Sequence, residues 1–72
     1  SPQNQNVEVG FVGHQFRLES DISPNAPGVY NYSGVAWRVI PDEEITKNVL
    51  LEVTQADVGV LTVTAAKSAD EG

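Results

Sequence analysis

Few residues in this chain could do chemistry, and their spacing decides how far each can go. His14 is the single histidine. A Ser-His-Asp relay needs an imidazole set between a hydroxyl and a carboxylate. Here it could draw only on His14, with Asp21 and scattered serines around it in no recognisable motif. His14 follows Gly13 at the start of an alternating segment and reads as a solvent-facing strand-edge side chain. Carboxylates are more plentiful: Asp42-Glu43-Glu44, Asp57, Asp70 and Glu71. Calcium loops present their oxygens at short, regular intervals, and these residues do not, so they read as solvated surface. Asp57 is expected to cap a tight turn through backbone N–H groups. A carboxylate pair for glycoside chemistry would need a cleft that a chain of 72 residues hardly provides. With no cysteine, disulfides and Cys/His zinc sites are both excluded. The expectation is a protein without catalytic residues, metal or cofactor.

The aromatic residues carry more information. Tyr30 and Tyr32 share one face of an alternating segment beside a Pro/Gly-rich stretch. Paired tyrosines offer rigid amphipathic area, which makes them the expected ligand-contact residues. The plainer reading is that they cover one end of the fold. Trp37 lies on an alternating face and is expected in the core. Asn31-Tyr32-Ser33 is a glycosylation triplet, a pattern that arises often by chance and matters only in a secretory pathway.

Composition narrows the partners. Ten acidic against four basic residues give a net charge of −6. Arg17, Arg38, Lys47 and Lys67 are scattered, whereas a phosphate-tracking surface needs them clustered, so nucleic acid is not an expected partner. No stretch approaches the ~18 apolar residues of a membrane span, and membrane insertion is not expected. A chain this short buries only about 60% of its unfolded surface. Without disulfide or metal, its stability has to come from packing or from a neighbour. The chain starts at Ser1 and contains no methionine, as expected of a piece processed or excised from something longer.

The elements that must position these residues are all β in pattern. Residues 1–6 are polar and read as a linker, 7–66 as the domain, and 67–72 as a polar tail. Val7, Val9 and Phe11 alternate with polar or small residues, as do Phe16 and Leu18, which predicts two short strands. Residues 20–28 are turn chemistry. Tyr30 and Tyr32 predict a short strand, and Val35, Trp37 and Val39 oppose Ala36, Arg38 and Ile40 on a clear one. From 43 to 51 the pattern fits a strand or a short helix, with the β-branched content favouring a strand over 48–54. Gln55-Ala56-Asp57 reads as a turn. The final strand spans 60–66. Phe16, Leu18, Trp37, Leu50, Leu61 and Val63 are the expected core. Short strands at this spacing suggest a sandwich or barrel.

Three segments resemble immunoglobulin-like domains. Gly13-x-x-Phe16-x-Leu18-x-Ser20 is similar to their B strand, and Trp37 to the tryptophan of strand C. Leu50-x-x-Val53-x-x-x-Asp57-x-Gly59-x-Leu61-x-Val63 resembles the E–F corner. Ser20 and Val63 stand at the two cysteine positions and Leu61 at the corner tyrosine. The closer likeness is therefore to the cysteine-free modules of bacterial surface and phage virion proteins. The resemblance implies an antiparallel immunoglobulin-like sandwich, either complete or lacking its last strand. It also implies a non-catalytic adhesion or decoration role in a larger surface or virion protein, with a protein, a surface glycan or neighbouring copies as partner. The alternative is a structural spacer or assembly element. If strand G is missing, Val60, Thr62 and Thr64 mark an open, uncharged sheet edge that pairs with a neighbouring subunit.

Overall fold

The computed structural model describes residues 10–66. The expected linker, Val7 and Val9 of the first strand, Lys67, Asp70 and Glu71 all lie outside the described residues. The fold is all-β, as composition and patterning led us to expect. Five strands form it: β1 (Gln15–Arg17), β2 (Gly28–Tyr32), β3 (Val35–Pro41), β4 (Leu50–Asp57) and β5 (Val60–Ala65). They lie in one mixed sheet of order β1-β4-β5-β3-β2, curled into a half-barrel. All neighbours are antiparallel except β3 and β5, which run parallel.

That parallel pair decides the architecture. It places β5 between β4 and β3, with Leu61 opposite Val39 on one side and Ala56 on the other. The expected open edge at Val60, Thr62 and Thr64 is therefore corrected: β5 is an interior strand, hydrogen-bonded along both sides. Alternation locates a strand but carries no signal for its neighbours, so an interior strand with threonines on one face looks like an unguarded edge. Each of the described strands belongs to the one sheet, and the concave side of its curl supplies the second wall of the core.

Each of the two hairpin turns places a glycine in left-handed backbone. Ser33 and Gly34 have φ of 52° and 77°, the type I′ geometry whose twist suits a two-residue hairpin. Gly59, at φ 74°, closes the β4–β5 turn with Val58. Gln55, Ala56 and Asp57, expected as that turn, instead continue β4. The Asp57 carboxylate accepts from the Gln55 side-chain amide at 3.0 Å. Pro41 ends β3 without cost. Arg38 donates its N–H to Gly59 O, toward β5, so odd-numbered β3 residues point theirs toward β2. β2 ends at Gly28, opposite Val39, and the donor that Pro41 lacks has no strand to meet.

The core is Phe16, Ile22, Val39, Ile45, Leu51, Val53, Leu61 and Val63. Each such side chain contributes about 1.5–3 kcal/mol by leaving water. Phe16, Leu61 and Val63 match the expectation, Leu18 and Trp37 are half-buried against that cluster, and Leu50 is a half-buried neighbour of the true core residue Leu51. A bulge at Thr54 separates Val53 from Gln55 in register, and the Thr54 hydroxyl donates to Thr62 O at 3.2 Å. Inward positions in β4 thus run Leu51, Val53, Ala56, a sequence that strict alternation from Leu50 puts out of phase. The segment 43–51 is neither a helix nor one strand: Ile45 bridges to Ile22, and Asn48 turns the chain at φ 67°. Ile22, within the apparent turn stretch, is sealed by that bridge.

Gly28 is fixed by close approach. A Cβ there would meet Ile22 Cγ2 at 2.7 Å and Leu18 Cδ1 at 2.9 Å. Gly28→Ala should therefore cost about 1–3 kcal/mol through overpacking, read as a lower urea midpoint, whereas Gly13→Asn, in open space at φ 93°, should cost less. Equal losses would contradict the packing at Gly28.

Candidate functional site: an aromatic cluster across the sheet seam

The curl brings the two outer strands toward each other, and aromatic rings fill the seam. Phe16 of β1 and Tyr30 of β2 stack at 3.9 Å between centroids with only 11° between their planes. Parallel stacking that close joins two strands that share no backbone hydrogen bond. Above the stack, Tyr30 Oη and His14 Nε2 are joined by a 3.1 Å hydrogen bond, and the imidazole lies over Phe16 at 5.8 Å. Phe11 then packs edge-on against His14, Tyr32 and Trp37 at 5.3, 5.2 and 4.9 Å.

Gly10 and Phe11 are helical, and the chain leaving them delivers this arrangement. That segment was expected to be the end of a strand; instead His14 N–H donates back to Phe11 O at 3.0 Å, and Gly13, at φ 93°, redirects the chain into β1. His14, read from sequence as a solvent-facing edge residue, is half-buried among aromatic rings. Tyr30 and Tyr32 do share a face, as their spacing implied, with rings 5.9 Å apart. They are not equivalent, however. Tyr30 is half-buried in the seam stack, while Tyr32 keeps 44% of its surface exposed. With Gly10, Phe11 and His14, Tyr32 lines a shallow recess of about 210 Å³. Phe11 and His14 joined the site unannounced, because rings at 11, 14, 16, 30, 32 and 37 converge only through the topology.

Trp37 shows what this wall tolerates. Its indole N–H is enclosed and meets no hydrogen-bond acceptor among the described residues. Leaving such a donor unsatisfied costs about 1–3 kcal/mol. Trp37→Phe removes it while keeping a ring against Phe11, and should change stability by less than about 1 kcal/mol, measured by chemical denaturation followed by circular dichroism. A much larger loss would mean the indole N–H has a partner in solution.

The cluster presents aromatic contact area with one imidazole among the rings. Among the described residues, no three His, Asp or Glu side chains converge as a metal site. Two carboxylates hold local structure: Asp21 accepts from the Lys47 backbone N–H at 2.8 Å, and Asp42 from the Thr64 hydroxyl at 3.2 Å. No described helix is long and apolar enough to cross a membrane. No protein-family model matches the chain, and no curated protein matches it.

Proposed function

We propose that this domain is a non-catalytic interaction module of a larger surface or virion protein, binding a protein or glycan through the recess of Phe11, His14 and Tyr32. The observation that carries the reading is the exposed Tyr32 ring, held by Phe11 and Tyr30 beside that recess. A pre-positioned aromatic face contributes contact area at low conformational cost. Display on a surface or virion rests on the sequence resemblance to cysteine-free immunoglobulin-like modules alone, because the single mixed sheet with its parallel β3–β5 pair departs from the antiparallel sandwich that resemblance implies. A second reading, an assembly element that pairs through an open sheet edge, is favoured by the outer margin of β2, which no other described strand pairs.

The recess reading is tested by titrating the ¹⁵N-labelled chain with a panel of disaccharides and blocked aromatic dipeptides. Saturable shifts centred on Phe11, His14 and Tyr32, lost in Tyr32→Ala, are expected. Shifts centred elsewhere and unchanged in Tyr32→Ala would overturn it.

A further inference from the structure

β2 has backbone groups to offer on its outer side. Its hairpin with β3 closes on the pair Tyr32–Val35 across two residues, so that pair is hydrogen-bonded. Alternation makes Tyr30–Trp37 and Gly28–Val39 the other bonded pairs. The Arg38 N–H fixes the same phase independently, because it donates to Gly59 O at 2.9 Å and away from β2. The N–H and C=O of Val29 and Asn31 therefore point out of the sheet.

Among the described residues nothing guards that margin. Natural edges carry charge, proline, a bulge or a cover, and Gly-Val-Tyr-Asn-Tyr contains no such residue, with Val29 59% exposed. Nor does β1 close it: no Cα of β1 comes within 8 Å of a Cα of β2. Directly paired strands lie about 4.7–4.9 Å apart. Beside the margin is a recess of about 390 Å³, lined by Val29, Ala36 and Arg38 among others. Arg38 is exposed there, in a chain whose net charge is −6.

We infer that β2 accepts one extended strand from another polypeptide, hydrogen-bonded through Val29 and Asn31, with an acidic side chain directed at Arg38. Outward N–H and C=O groups at alternate residues are matched by a β-strand, the mode of β-augmentation. The side chain that lies beside Val29 shares a face with Arg38 and stands two strand spacings from it, roughly 10 Å at the backbone, a gap that a long guanidinium side chain and a glutamate can bridge together, which favours a carboxylate there. This inference rests on the assembly reading and is independent of the aromatic recess.

The test uses the full chain, ¹⁵N-labelled, and a blocked synthetic peptide alternating valine with glutamate. At saturation the Val29 and Asn31 amides should shift and exchange more slowly with solvent. A peptide with lysine for glutamate should bind at least about tenfold more weakly. Val29→Pro deletes one outward donor without breaking the β3 ladder, so it should abolish binding while keeping the melting temperature within a few degrees. Should that variant unfold, alternate N-methylation of the peptide carries the same test from the other side. Unchanged binding in Val29→Pro or by the N-methylated peptide would overturn the inference. So would Val29 and Asn31 amides already protected in the free monomer. Shifts confined to Phe11, His14 and Tyr32 would overturn it as well, while leaving the recess reading standing.

Discussion

Leu61→Ala should leave the domain close to its unfolding midpoint without denaturant. Leu61 is fully buried and sits on the central strand β5, packed between Val39 and Ala56. Truncating such a leucine costs about 2–5 kcal/mol, because neighbours held by two hydrogen-bonded strands cannot collapse into the cavity. A domain of this size has only about 4–11 kcal/mol to lose, and poor surface-to-volume scaling favours the low end. Urea unfolding followed by Trp37 fluorescence reads the effect directly. Leu51→Ala should fall in the same range, since Leu51 is 2% exposed. Its neighbour Leu50 projects from the opposite face, and Leu50→Ala should cost less than half as much. A reversed order for Leu50 and Leu51 would place β4 one residue out of phase and move the bulge.

The second large effect is at the seam. Phe16→Ala should cost about 3–5 kcal/mol, the value for a buried phenylalanine. Part of that loss belongs to Tyr30 and is separable. Across the double-mutant cycle with Tyr30→Ala, the pair should show a coupling of about 0.5–1.5 kcal/mol, as stacked rings do beyond their buried area. Tyr30→Phe keeps the stack and removes only the hydroxyl bonded to His14, so most of the coupling should survive it. Additive losses for Phe16→Ala and Tyr30→Ala would mean that the outer strands are not joined through these rings.

Much of the local structure was legible in the sequence. The β3 strand follows from its alternation. Phe16, Leu61 and Val63 reveal themselves as core by phase. Three things were hidden, each for a physical reason. The Thr54 bulge adds a residue to β4, so any period-2 reading that crosses it assigns one side to the wrong face. Ile22 and Ile45 seal the barrel through a single bridge between loops, and isolated bridges leave no periodic trace. Pairing partners are non-local: the same Val60-Leu61-Thr62-Val63 pattern suits an edge beside a missing strand or an interior strand beside a parallel neighbour. The candidate site was half visible. Tyr30 and Tyr32 declared themselves by spacing, whereas Phe11 and His14 reach them because the chain is helical at Gly10 and Phe11, where alternation implied a strand.

The most direct test of this architecture is amide hydrogen exchange along β5 and β2 in the isolated monomer at low concentration. With β5 interior between β4 and β3, the amides from Leu61 to Thr64 should all exchange slowly, without alternation, because successive residues bond to opposite neighbours. Alternation should appear in β2 instead, with Tyr30 protected and Val29 and Asn31 fast. Fast exchange at alternate β5 amides, with uniform protection across β2, would contradict the single curled sheet and return β5 to an open edge.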